Sequence, residues 1–201
     1  MSNREYLEVF WRTGALRIST LSACKKHEGL QGDKREGDNA LWSVRPDGTT
    51  IITGYEVGAD AYILCGTVAD TPENRKEFKA ERIGAIKITD PYQFGLAIGA
   101  AMPGVTHGQA GYCDYKDARI HHFEEGSPEA LAHASIDFKS RMNLHKFRAL
   151  APGDEIFLKT LEYQSQEEFR FAWFQSGAIT TDYVDIVCPD AREFCEPVWF
   201  E

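Results

Sequence analysis

The 201-residue sequence lacks most of the short signatures that would settle a function at once. Its five cysteines, Cys24, Cys65, Cys113, Cys188 and Cys195, are odd in number, scattered, and never spaced CxxC. That excludes a secreted disulfide framework and points to reduced thiols, with Cys65 and Cys113 as small core residues. No apolar run reaches the length needed to span a bilayer, so no membrane partner is expected. The opening Met-Ser-Asn-Arg-Glu does not have the basic-then-apolar build of a secretory leader, and a cytoplasmic location is the expectation. No block of five or six like charges interrupts a net charge of −9, which disfavours broad binding to phosphate backbones. A local basic patch around Lys139, Arg141, Lys146 and Arg148 stays open.

Motifs for nucleotides, zinc and nucleophilic catalysis are missing too. No GxGxxG or Walker pattern follows a strand, no HExxH lies on a helix, and no GxSxG elbow occurs. His121-His122 with Glu124-Glu125 is the one metal-like cluster, but adjacent residues on an extended segment point to opposite faces. No metal site is expected. His145 reads as a hydrogen-bonded core histidine.

What remains is an ordinary single-domain composition, with one unit expected over residues 1–201. Leu7, Phe10 and Trp11 recur at helical spacing between a capping-box start and Gly14, which predicts a helix over about 3–13. Ala15 to Thr20 reads as a strand, and residues 22–39 as a long polar connection. Pro46-Asp47-Gly48 joins two strands as a hairpin. Strands are expected at 61–68, 84–89, 155–160, 168–174 and 183–187, and an extended stretch at 109–115. Helices are expected after Pro72 and Pro91. The longest helix opens at Ser127-Pro128-Glu129 and carries a stripe of Leu131, Ala134, Phe138, Met142, His145 and Ala149. Strands and hairpins interleaved irregularly with about four helices predict an α+β fold with mostly antiparallel sheets.

One run concentrates the chemistry: Tyr163-Gln164-Ser165-Gln166-Glu167-Glu168-Phe169-Arg170-Phe171-Ala172-Trp173-Phe174. Strand periodicity puts Phe169, Phe171 and Trp173 on one face, and Gln166, Glu168 and Arg170 on the other. A carboxylate there is costly to bury without a partner. It either pairs with Arg170 as a structural element or serves a site. Ser19-Thr20, at the end of a strand, offers hydroxyls that can bind a ligand or form a Ser/Thr turn.

Gly14-Ala15-Leu16-Arg17-Ile18-Ser19-Thr20-Leu21-Ser22, taken with Phe157-Leu158-Lys159, Tyr163, Gln166, Glu168, Phe169 and Arg170, resembles a family of uncharacterised bacterial and phage proteins. That family ends in a Tyr…(Glu/Gln)-x-Glu-aromatic-Arg strand, and Tyr112-Cys113-Asp114-Tyr115 is similar to its mid-chain strand. The order of a strand-end Ser-Thr followed much later by Gln-x-Glu is similar to the ADP-ribosyltransferase superfamily, whose split antiparallel sheets form an NAD cleft.

The resemblance implies NAD as a substrate and a protein or nucleic-acid acceptor. In that reading Glu168 binds the ribose 2′-hydroxyl and stabilises an oxocarbenium-like state, and Gln166 orients the acceptor. Ser19 and Thr20 shape the nicotinamide end, and Tyr163 stacks on a ring. A first helix starting near residue 3 leaves no room for the earlier arginine strand of arginine-type transferases, so Arg4 or Arg17 is left for the pyrophosphate. A toxin or phage-defence effector with an antitoxin or regulatory partner is the role implied. The alternative is a non-catalytic interaction module in which the Glu168/Arg170 strand is structural.

Overall fold

The computed structural model describes residues 4–26, 33–57, 61–77, 84–136, 147, 149–151 and 153–200. The chain runs α1 (Arg4–Thr13), β1 (Ala15–Thr20), α2 (Leu21–Cys24), β2 (Asp38–Val44), β3 (Thr50–Glu56), β4 (Ala61–Thr67), α3 (Pro72–Glu77) and β5 (Gly84–Ile88). It continues through α4 (Pro91–Ala101), β6 (Val105–Tyr112), β7 (Asp114–Lys116), β8 (Ile120–His122), α5 (Pro128–Ala134), β9 (Leu158–Thr160), β10 (Glu168–Gln175), β11 (Tyr183–Val187) and β12 (Cys195–Trp199). Its sheets are mostly antiparallel, so the fold is α+β. The parallel pairs are β2 with β8 and β7 with β9.

Helix α1 forms because Leu7 and Phe10 bury one stripe, and it stops where Gly14 turns into the left-handed region at φ 75°. That turn brings Gly14 against the backbone of Cys188, whose N–H donates to the Gly14 carbonyl over 2.9 Å. β1 is thereby seated beside β11. The central sheet has the order β11-β1-β4-β10-β6, antiparallel throughout.

Register fixes its two faces. Phe171, Trp173, Tyr62 and Ile18 share one face and pack with Phe94 and Ile98 of α4 and with Ile186 into the main core. Asp90 accepts from the Gln93 N–H at 3.0 Å and caps α4, and Trp173 Nε1 donates to the Gly95 carbonyl at 3.0 Å. The opposite face carries Ser19, Ile63, Ala172, Arg170 and Glu168, and Ile63 and Ala172 join Leu21, Ala61 and Ile156 in a second cluster.

Three sequence expectations change. The helix opened by Ser127 is capped by Ser135 at its C-terminal end, directly after Ala134, and it buries Ala130 and His133 while Leu131 is 45% exposed. Its inward face is set by the His133 ring, which bonds Ser43 Oγ at 2.8 Å and Thr53 Oγ1 at 2.9 Å. Of the expected stripe, Phe138, Met142 and His145 lie outside the described residues, as does the basic patch, while Ala149 is helical and exposed. Glu155–Phe157 is a 3-10 turn closed by the Phe157 N–H on the Asp154 carbonyl at 2.8 Å, which leaves only Leu158–Thr160 as strand. Leu161–Gln166 is also 3-10, and Glu167 at φ 42° turns the chain into β10, so Gln166 is not on the strand of Glu168.

Candidate functional site

Glu168 opens β10 and is 6% exposed, and Arg170, two residues on, is 1% exposed. They share a face because they lie two apart on one strand. Glu168 Oε1 accepts from Arg170 Nε at 2.8 Å and from Arg170 Nη2 at 2.6 Å. Its other oxygen accepts from Lys159 Nζ, on β9, at 2.7 Å. The thiol of Cys113 lies 3.6 Å from Oε1, and the Glu168 N–H donates to the Tyr115 hydroxyl at 2.8 Å. Arg170 also donates to the Ile156 carbonyl and to Glu36. Two carboxylates and two cations, all buried, therefore balance within one cluster.

Electrostatics follow from this arrangement. Burial alone would raise the Glu168 carboxyl, but the charges of Arg170 and Lys159 outweigh it and hold the group at about 2. Burial pushes the Cys113 thiol up to about 12 and the Cys24 thiol to about 11, which leaves both protonated. A carboxylate held at about 2 cannot deliver a proton near neutral pH. As an electrostatic stabiliser it already faces two cations.

Gln166 and Glu168 do converge, though not by strand alternation. Lys159 Nζ reaches Gln166 Oε1 at 2.8 Å as well as Glu168, and the Tyr163 ring lies 4.9 Å from the same ammonium. The 3-10 turn curls Gln166 and Tyr163 back over Lys159. Tyr163 stacks on this cation.

Ser19 and Arg17 sit elsewhere on the sheet face of Glu168, and Thr20 lies on the opposite face. Ser19 is opposite Ile63, and Ile63 is opposite Ala172, which lies four residues along β10 from Glu168. Strand spacings put roughly 17 Å between Ser19 and Glu168. Ile63 and Ala172 on that face pack with Leu21 and Ile156 in one apolar cluster. Thr20 is the N-cap of α2: its Oγ1 accepts from the Ala23 N–H at 3.0 Å and donates to the Asp182 carbonyl at 3.3 Å. Arg17 forms a two-pronged pair with Asp185 at 2.7 and 2.8 Å and lies over the Tyr183 ring at 3.8 Å.

Lys159, Glu36 and Cys113 belong to the cluster and were not singled out as site residues from sequence. A lone Lys in Phe157-Leu158-Lys159 was the available signal, since a cation on an apolar strand needs a buried anion. Glu36 gave none, because its partner is 134 positions away. A second buried pair, Arg119 with Asp33, pins the same loop, with Arg119 donating to the Arg35 carbonyl at 2.8 Å and the Leu158 carbonyl at 3.2 Å.

His121, His122 and His133 make packing or hydrogen-bond contacts within the described residues. His121 packs on Phe123 and His122 on Trp42, and no group of three metal-capable side chains occurs among the described residues. A depression of about 450 Å³ beside Arg45, Thr53, His133 and Ile136 exposes no unused imidazole nitrogen, since both ring nitrogens of His133 are bonded. No helix among the described residues is long and apolar enough to cross a membrane. Comparison with protein-family models, with curated proteins and with solved structures finds no match, so the resemblances rest on the residues alone.

Proposed function

We propose that this protein is a non-catalytic interaction module in which the Glu168/Arg170 strand is structural. One observation carries this reading: both carboxylate oxygens of Glu168 are taken by buried cations, at 2.6 to 2.8 Å. A group that must accept a ribose hydroxyl needs a free oxygen facing a cleft, and this one faces Arg170 and Lys159. The test is incubation of the full chain with labelled NAD and separate protein, RNA and DNA fractions. The module releases no nicotinamide and labels nothing. Labelling that disappears in Glu168→Ala while the chain stays folded would contradict it.

An NAD-dependent ADP-ribosyltransferase acting on a protein or nucleic-acid acceptor, as a toxin or phage-defence effector, is the second reading. Its support is that Gln166 and Glu168 meet at Lys159, and that Arg17 and Ser19 share a sheet face with Glu168. It requires Lys159 to swing away so that NAD can reach the carboxylate. Lys159→Met separates the two readings: it raises nicotinamide release in a transferase and leaves a module inert.

A further inference from the structure

Among the described residues β6 is an edge of the central sheet with β10 as its single sheet neighbour, and it is eight residues long, Val-Thr-His-Gly-Gln-Ala-Gly-Tyr. Edge strands in soluble proteins are ordinarily blunted by a lysine, a proline or an inward charge. β6 contains none of these, and Thr106 through Ala110 is exposed without interruption. The opposite edge, β11, differs: it carries Asp185 bound to Arg17.

The ladder with β10 tells which groups of β6 face outward. Cys113 donates its N–H to the Glu168 carbonyl at 2.9 Å, and the register continues as Arg170 with Gly111, Ala172 with Gln109 and Phe174 with His107. In an antiparallel ladder alternate residues turn both backbone groups to the same neighbour. Gly111, Gln109 and His107 therefore bond β10. Thr106, Gly108, Ala110 and Tyr112 aim N–H and C=O away from the sheet, and none of these backbone groups has a partner outside the sheet among the described residues.

We propose that this edge pairs with β6 of a second copy of the chain, antiparallel about a two-fold axis at Gln109. The proposal deepens the interaction-module reading by naming the partner. This register sets outward-facing residues against each other, Thr106 against Tyr112 and Gly108 against Ala110, for about eight ladder bonds. It also sets large side chains opposite small ones: Tyr112, 70% exposed, meets Thr106, and His107, stacked on Phe174 at 4.6 Å, meets Gly111. Gln109 meets its own copy as a self-complementary amide pair. Two chains of net charge −9 repel, and they lose least where the meeting strands carry no charge. Isologous pairing of this kind closes as a dimer, which ends the edge without exposing another copy of it.

Sedimentation of the full chain over a wide concentration range, combined with site-directed cross-linking, tests this. The expected mass is that of two chains. Ala110→Pro removes an outward N–H without touching the β10 ladder and returns the mass to one chain, with an unchanged circular dichroism spectrum. Gln109→Lys sets two ammonium groups across the axis and does the same. Gln109→Cys forms a reducible covalent dimer, because non-hydrogen-bonded antiparallel partners lie at about 4.5 Å between Cα atoms, within disulfide range. Thr106→Cys, far from its own copy, does not. A wild-type chain that stays monomeric overturns the proposal, as does a dimer unaffected by Ala110→Pro or one that cross-links equally well through Thr106→Cys. Nicotinamide release by an intact dimer would sink the module reading and leave the pairing standing. A monomer inert toward NAD would do the reverse.

Discussion

The Glu168 carboxylate is held between two buried cations, Arg170 and Lys159. Removing it as Glu168→Ala leaves Arg170 and Lys159 buried with only Glu36 to balance them, and the expected loss is about 3–5 kcal/mol of stability. Urea unfolding of wild type and variant measures it. Acid has a related effect. A carboxyl lowered from 4.5 to about 2 stabilises the fold fully above its unfolded value, and that contribution, about 3 kcal/mol, is lost as pH falls from 4.5 toward 2. Stability measured against pH should therefore fall steeply in that window, and the slope should shrink in Glu168→Gln. His133 adds a milder dependence. Burial lowers its imidazole, so its contribution is present above the ordinary 6.5 and lost as pH falls through the folded value. His133→Gln flattens that part of the profile. The shared face of Glu168 and Arg170 was legible from period-two alternation, since it depends on neighbours in the chain. Glu36 was not legible, because closure of a loop 134 positions away sets its partner.

Helix α4 and strand β10 show how elements are locked together. Gly95 and Gly99 let α4 approach Phe171 and Trp173, and a Cβ at these positions would lie 3.3 Å and 3.2 Å from the rings. Gly99→Leu should overpack the main core and cost about 1–3 kcal/mol by thermal unfolding. Asp90→Ala, which removes the α4 cap, should cost about 1 kcal/mol. The start of α4 was readable from Asp90-Pro91 because capping chemistry is local. The hairpin of β2 and β3 was readable from Pro46-Asp47-Gly48 for the same reason. Gln166 was misplaced because the chain turns left-handed at Glu167, between a 3-10 turn and β10, and no glycine announces it. The extent of α5 was misread because Leu131 and Ala134 fit a helical stripe, while the His133 hydrogen bonds choose the buried face.

At the scale of the molecule, the two buried charge clusters tie the Asp33 to Glu36 segment and β9 to the central sheet. Parts distant in sequence are joined by ions instead of by apolar packing alone. The antiparallel α+β organisation was legible in the irregular order of strands and helices, but the sheet order β11-β1-β4-β10-β6 was not, because pairing between strands far apart leaves no local mark. That order sets β10 between β4 and β6 with Glu168 covered, and among the described residues leaves β6 at the edge. The most direct test of a structural Glu168 is the 13C shift of its side-chain carboxyl, assigned by comparison with Glu168→Gln and followed from neutral pH into acid, with and without NAD. A clamped carboxylate titrates near 2, together with unfolding, and ignores NAD. Titration at or above 4.5 in the folded chain, or a shift on adding NAD, would contradict the structural role.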